Sequence, residues 1–140
     1  MSRMDITGGC LCRSVRFRIS AKPIAMRLCW CRLCQYFAAG NATVNVVFPS
    51  AALSVEGTLT DYRSVADSGS VMHRRFCPTC GTPVFSASEA RPHLVIVRNG
   101  ALDDTELMRP GATIWTDAAP DWAWIDESLP MHAGQPPPVA

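Results

Sequence analysis

The chain has 140 residues, of which 48% are apolar and 18% charged, and its formal net charge is +1. These values fit one globular domain of ordinary size. Because no apolar run reaches the roughly 18 residues of a membrane span and the 13 basic residues are scattered, we expect neither a membrane nor a nucleic acid as partner.

The N-terminal stretch MSRMDITGGC lacks the apolar core of a secretory signal, so we expect a cytoplasmic, reducing location. It ends in the first cysteine pair, Cys10 and Cys12. Two cysteines one residue apart on a strand point to the same face, about 7 Å apart. They can share an ion there, whereas a disulfide between them would be strained. Alternation then predicts a strand over 14–19 with Val15, Phe17 and Ile19 facing inward.

The second cysteine group is CWCRLC, residues 29–34. Cys29 and Cys31 are predicted to share a strand face, and Cys34 returns after a turn. Three thiolates leave the fourth position of a tetrahedral zinc open for water or substrate, which is the arrangement of a catalytic site. Thiolate ligands suit zinc, and zinc would hold an incoming thiol as its thiolate. We therefore interpret Cys29, Cys31 and Cys34 as candidate catalytic ligands.

Short runs broken by Gly, Pro, Ser or Asn predict that the rest of the chain is mainly β. One short helix is predicted from near Cys31 toward Ala39, before Gly40. The predicted strands after this helix are 43–48, 53–56, 59–63, 71–76, 83–86 and 94–98.

The third cysteine group, FCPTCGT at residues 76–82, has the form of a zinc knuckle. Pro78 presets φ for the turn, and Gly81 can take a positive φ without a Cβ clash. One knuckle supplies only two ligands, Cys77 and Cys80. The matching pair is Cys10 and Cys12, and together they predict a closed, structural four-cysteine zinc site.

The cysteines, histidines and arginines of this sequence also admit interpretations other than metal binding. In a reducing compartment, clustered cysteines favour metal over a redox pair, a disulfide framework or apolar filler. The histidines lie outside the cysteine groups, and metal ligation by them is the less favoured interpretation. Five arginines flank the clusters, where they either offset thiolate charge or are solvated surface. These residues are His73, His93 and His132, and Arg13, Arg27, Arg32, Arg74 and Arg75.

Three segments, GGCLCRSVRF, CWCRLCQYFAAG and RRFCPTCGTPVF, resemble the glutathione-dependent formaldehyde-activating enzyme family, which shares its domain with centromere protein V. The similarity extends over residues 5–132 and includes NGALDD at 99–104. It implies a single-domain, mainly β fold of the β-tent (Mss4-like) type over 1–133. The Pro-rich composition of 134–140 predicts a flexible tail after this domain. It also implies structural zinc on Cys10, Cys12, Cys77 and Cys80, and catalytic zinc on Cys29, Cys31 and Cys34.

The activity implied by the resemblance is that of a carbon–sulfur lyase or synthase joining glutathione to formaldehyde. The alternatives are a non-catalytic zinc-stabilised binding module, or an enzyme of the same fold acting on a different thiol adduct. Arg13 stands where the family usually has glycine, Trp30 where histidine is common, and Gln35-Tyr36 where a basic pair is usual. We expect Trp30 to alter the shape of the open site and the lost cations to weaken attraction for glutathione. Trp115, Trp122 and Trp124 are interpreted as packing residues that lie near the cleft.

Overall fold

The computed structural model describes residues 5–140, which form eleven strands and one α-helix. The helix, α1, is Arg32–Phe37. The strands are β1 (Ile6–Gly9), β2 (Arg16–Ile19), β3 (Ala25–Cys29), β4 (Thr43–Pro49), β5 (Leu53–Glu56), β6 (Thr60–Val65), β7 (Val71–Phe76), β8 (Pro83–Ser88), β9 (Leu94–Arg98), β10 (Ala112–Ile114) and β11 (Met131–His132).

The strands form two sheets. The small sheet is antiparallel and has the order β1-β2-β5, and the large sheet has the order β11-β10-β3-β4-β9-β8-β7-β6. In the large sheet, β10 pairs in parallel with both β3 and β11, while the other neighbours are antiparallel. The predicted mainly β, single-domain fold is confirmed. Within residues 5–140, no helix is long and apolar enough to span a membrane.

The hydrophobic core lies between the two sheets. Val15, Phe17 and Ile19 are buried in it, as the alternation in 14–19 predicts. The Phe17 ring meets that of Phe85 from the large sheet at a centroid distance of 5.1 Å. Val46 on β4 joins the same cluster from the central strands of the large sheet. One face of the large sheet is therefore committed to the core.

Sequence alternation located most strands, but the regions around the cysteine pairs differ from expectation. The strand predicted over 14–19 begins only at Arg16, because the residues before it form a turn. The strand predicted over 59–63 is Thr60–Val65. The predicted helix is confirmed and ends before Gly40, which has a φ of +101°. The predicted strands do not include β1, β3, β10 or β11. The last two have three and two residues, too few to show a period.

The segment 99–104 fastens the small sheet to the end of β9. Asp103 accepts two hydrogen bonds from the Arg16 guanidinium, at 3.1 and 2.6 Å, and one from the Thr7 hydroxyl at 2.7 Å. The Arg16 guanidinium lowers the pKa of the Asp103 carboxyl to about 2. The backbone of Gly8 pairs with that of Leu102 in an isolated antiparallel bridge. These contacts hold the loop after β1, which carries Cys10 and Cys12, against the large sheet.

Gly57 packs directly against this cysteine loop. Its φ is +100°, and an added Cβ would lie 2.2 Å from the backbone oxygen of Ser14. We expect Gly57→Ala to lower the free energy of unfolding by about 2–4 kcal/mol, through backbone strain together with overpacking. Urea unfolding measures this loss. Gly40→Ala is the matched control, since Gly40 has a φ of +101° and open space around the same position. Equal losses in both variants would contradict a packing role for Gly57.

Candidate metal centres

The first candidate centre brings together the four cysteines predicted to form the closed site. The sulfurs of Cys10, Cys12, Cys77 and Cys80 all lie within 4.8 Å of one another. The Sγ of Cys12 is 3.6 Å from that of Cys10 and 3.8 Å from that of Cys77. Because the first pair follows β1 and the second follows β7, this cluster joins the small sheet to the large one.

Cys10 and Cys12 lie on a turn, which corrects the prediction that a strand presents them. β1 ends at Gly9, and the Arg13 N–H donates to the Cys10 carbonyl at 3.1 Å. Arg13 has a φ of +68°, in the left-handed region that favours glycine. A glycine at this position would meet no such strain, which gives a physical reason for the family's usual residue. The turn brings the two sulfurs closer together than strand geometry would allow.

The second pair forms the predicted knuckle. The N–H groups of Thr79 and Cys80 point at the Cys77 sulfur, at 3.3 and 3.5 Å. Gly81 takes a φ of +78°, and its N–H donates to the Cys77 carbonyl at 2.9 Å. These backbone donors favour a thiolate at Cys77.

Hydroxyl groups surround the four sulfurs. The Ser14 hydroxyl lies 3.3 Å from the Cys77 sulfur and lowers the pKa of that thiol to about 7. The Thr82 hydroxyl lies 3.1 Å from the Cys80 sulfur and lowers its pKa to about 5. Metal ligands must be deprotonated, so these contacts prepare the cluster for a cation. Four sulfurs at this spacing match the donor set of a structural zinc site.

The second candidate centre is the group of Cys29, Cys31 and Cys34, whose sulfurs also lie within 4.8 Å of one another. All three residues are buried. Cys29 ends β3, and Cys31 is the N-cap of α1, where its sulfur accepts the Cys34 N–H at 3.3 Å. The predicted shared strand face is therefore wrong for Cys31: the chain leaves the strand after Cys29, and the cap presents the second sulfur.

The contacts among the three thiols shift their pKa values in different directions. Hydrogen bonds from Cys29 and Cys31 hold the pKa of Cys34 far below its usual range, with help from Thr43 and Arg98. The contacts with Cys31 and Cys34, together with burial, raise the pKa of Cys29. A thiolate at Cys34 would give a cation an anchor in this cluster.

A cavity of about 340 Å³ opens beside the three-cysteine cluster. It lies over the face of the large sheet opposite to the core, and all three of these cysteines line it. Polar positions on β7, β8 and β9 continue the lining away from the sulfurs. They include Arg74, Ser86, Ser88 and Arg98. A buried three-sulfur cluster thus opens into a cavity of small-molecule size.

Of the five arginines singled out in the sequence, two line this cavity: Arg27 and Arg74. Two further arginines, Arg91 and Arg98, line it without having been singled out. Strand alternation places Leu94, Ile96 and Arg98 on one face of β9, but only the strand order shows that the cysteines share that face.

The departures from the family pattern have structural roles. Trp30 is buried and makes an edge contact with Trp122 at a centroid distance of 6.3 Å. It is absent from the described cavity lining, so the expected change in the shape of the open site does not arise by direct contact. Gln35 is buried, and its Nε2 donates to the carbonyls of Trp30 and Ala118, at 2.7 and 3.0 Å. The amide thereby fastens the cysteine loop to the segment after β10.

The histidines stand apart from both cysteine clusters. His73 is held by two carboxylates, with Nδ1 at 2.6 Å from Asp61 and Nε2 at 2.7 Å from Glu89. The hydrogen bond with Asp61 raises its pKa, and Glu89 adds to the effect. Both ring nitrogens are therefore engaged on the strand surface, which leaves His73 as part of a surface ion-pair network.

The tryptophans near the C-terminal end divide between cavity and surface. Trp115 packs against the three-cysteine cluster and lines the cavity, whereas Trp122 and Trp124 are exposed. The Trp115 indole N–H donates to the Gln135 side chain at 3.0 Å. Gln135 and the following residues 136, 138 and 139 complete one wall of the cavity. The mobility expected for 134–140 stays a prediction, and the structure lays this segment beside the candidate site.

The fold and the site define a class: a small β domain with two cysteine clusters, each able to hold a metal ion. The family model described as glutathione-dependent formaldehyde-activating enzyme matches residues 5–118, and the chain belongs to this family. Membership supports a glutathione-dependent, formaldehyde-activating function at the level of the family.

A crystal structure of a Rhodobacter sphaeroides protein from a structural genomics programme is similar to this chain. The two are 20% identical, the match covers 74% of this chain and 96% of the other, and the TM-score is 0.58. This likeness supports the fold. No curated protein matches the chain significantly.

Proposed function

We propose that the protein is a zinc-dependent carbon–sulfur lyase or synthase that joins glutathione and formaldehyde in S-hydroxymethylglutathione, or releases them from it. The observation that carries the proposal is the three-cysteine cluster, whose buried sulfurs open into a cavity. Cys29, Cys31 and Cys34 would hold a zinc ion with one position free. Cys10, Cys12, Cys77 and Cys80 would hold a second zinc ion that is structural. We place this activity in the cytoplasm, where seven free thiols stay reduced.

The reaction forms one carbon–sulfur bond and involves no oxidant or reductant. The thiol sulfur donates an electron pair to the aldehyde carbon, the carbonyl pair moves to oxygen, and that oxygen gains a proton as the thiol loses one. Zinc bound at the three cysteines would supply the charge that keeps the substrate sulfur as thiolate at neutral pH. The reverse reaction breaks the same bond and returns the proton to sulfur.

The residues around the cysteine cluster would position the substrate and shield the cluster from solvent. The three cysteines are buried and line the cavity together with Ile114 and Trp115, so we expect a thiol to approach them from the cavity. Gln35 fixes the cysteine loop through the two carbonyls that its amide contacts. Because thiol addition to formaldehyde already proceeds in water, most of the gain is expected from holding the two reactants together.

The proposal is tested by the rate of S-hydroxymethylglutathione formation from glutathione and formaldehyde, followed by NMR exchange with and without the zinc-loaded protein. Catalytic amounts of protein should increase this rate in proportion to protein concentration. Heat-inactivated protein is the control for adventitious zinc. Equal rates with and without native protein would contradict the proposed activity.

A further inference from the structure

The face of the large sheet that carries Cys29 also carries a row of cationic and amide side chains. In the register of the central strands, Arg27 lies opposite Asn45, which lies opposite Arg98. Arg27 precedes Cys29 by two residues on β3, so the arginine and the thiol share one face. All four residues line the cavity. The row therefore lies one step along the strands from the candidate metal centre, about 7 Å from the cysteine position.

The charge in this cavity is not balanced by the protein. Four arginines line it, at positions 27, 74, 91 and 98, against the single carboxylate of Asp67. Within residues 5–140, none of these four arginines forms a salt bridge with an aspartate or a glutamate, but Arg91 already donates from Nη1 to the Ala140 oxygen. Without Arg91, three positive charges less the one negative charge of Asp67 leave two. Zinc bound by three thiolates carries about one negative charge, so about one positive charge remains uncompensated.

Two of these arginines are buried and keep an unused donor. Arg98 is 9% exposed and Arg74 is 6% exposed. Arg98 donates from Nη1 to the Asn45 side chain and Arg74 donates from Nη1 to the Ser64 hydroxyl, but the Nε of each has no hydrogen-bond partner. A buried donor without a partner costs free energy that a bound acceptor restores. Burial lowers the pKa of Arg98, and the sulfurs of Cys34 and Cys29 oppose that shift.

We propose that Arg27 and Arg98 bind a carboxylate of the thiol substrate, so that these two residues set the preference of the site for a thiol acid over a neutral thiol. The inference rests on the proposed function, in which the substrate sulfur occupies the open position at Cys29, Cys31 and Cys34. A guanidinium suits a carboxylate because its donors match the two oxygens in a planar, bidentate arrangement. These two cations lie on the face of the large sheet. They would supply the positive charge that the family's usual basic pair provides and that Gln35 and Tyr36 lack.

The test compares two thiols that differ in one group, 3-mercaptopropionate and 3-mercapto-1-propanol, by calorimetric titration of the zinc-loaded protein. We expect the acid to bind at least about tenfold more tightly, as one charge-assisted contact predicts. In Arg27→Gln this preference should fall to within about twofold. A tenfold preference that survives in Arg27→Gln would overturn the role of Arg27, and equal binding of both thiols to the wild type would overturn the subsite.

Two further variants separate a specific effect from a loss of charge or of folding. Arg18→Gln removes the same charge from an exposed position on β2, outside the described cavity lining, and should leave the preference unchanged. Arg98→Lys keeps a cation at the buried position while removing the bidentate fork, so the preference should shrink without vanishing. A preference lost equally in Arg18→Gln would indicate a general field effect and overturn the assignment.

Propionate, which has the carboxylate and no thiol, separates this inference from the proposed function. If both thiols bind equally, the carboxylate subsite is wrong and the thiol site stands. If 3-mercaptopropionate binds no more tightly than propionate, both in an Arg27-dependent way, and 3-mercapto-1-propanol does not bind, the subsite stands and the proposed function fails. If neither the thiols nor propionate bind, both are wrong.

Discussion

Cys77→Ser is expected to unfold the protein at temperatures at which the wild type is stable. Cys77 is fully buried, and its sulfur lies 3.8 Å from that of Cys12 at the junction of the two sheets. Structural zinc contributes folding free energy directly, because the unfolded chain holds no preformed site. The loss should reach about 4 kcal/mol or more, a large part of the stability of a domain of this size.

Thermal unfolding followed by circular dichroism, with zinc counted per chain by native mass spectrometry, measures this effect. Cys34→Ser is the matched control, since it also removes a buried thiol, but from the three-cysteine cluster at the end of β3 and the start of α1. We expect Cys77→Ser to lose one zinc and its cooperative transition, while Cys34→Ser keeps the transition. Loss of the cooperative unfolding transition in both variants would contradict the division of roles between the clusters.

Sequence spacing was enough to predict which cysteines come together. A pair one residue apart, a knuckle with Gly81 after its second cysteine, and a group of three each contain their own geometric constraint. The structure brings the predicted groups within 4.8 Å, and it places the predicted helix directly after Cys31. What spacing did not predict is the local backbone. Cys10 and Cys12 lie on a turn that Arg13 completes with a positive φ, a conformation that the residue type argues against.

The cavity was beyond sequence reasoning because it depends on strand order. Arg27, Asn45 and Arg98 lie in one row only because β3 pairs with β4 and β4 pairs with β9. These positions are far apart in the chain, and alternation within one strand does not show which strands are neighbours. The wall formed by residues 135, 136, 138 and 139 is missed because it depends on tertiary contacts. A composition rich in proline predicts absence of regular structure, but it carries no information on what the segment contacts.

Gln35, which departs from the family pattern, shows that the effect of one substituted residue depends on the residues that the fold brings near it. If Gln35 only removes a positive charge that the family usually has, the site should attract an anion such as glutathione more weakly. In the fold, Gln35 is buried and fixes two backbone carbonyls, while the cations that face the cavity come from β3, β7 and β9. A charge lost from one element is thus supplied by others that only the tertiary structure brings near.

Cys34→Ser is expected to abolish the catalysed formation of S-hydroxymethylglutathione, with a decrease in kcat/KM of about 100-fold or more. The side chains of Cys29 and Cys31 lower the pKa of Cys34, and the Cys34 N–H also donates to the Cys31 sulfur. A serine oxygen is a harder and far less acidic ligand, so the remaining pair would hold zinc weakly. The proposed activity requires that zinc.

The measurement is the initial rate at several glutathione concentrations, with zinc content determined on the same samples. Tyr36→Phe is the control for disturbance of α1, because Tyr36 is exposed on the same helix and lies outside the described cavity lining. Its rate should equal that of the wild type. If Cys34→Ser loses zinc from the three-cysteine cluster yet keeps the wild-type rate, the reaction does not use that centre. Loss of both zinc and rate, with an unchanged unfolding transition, would separate the reacting centre from the one that holds the two sheets together.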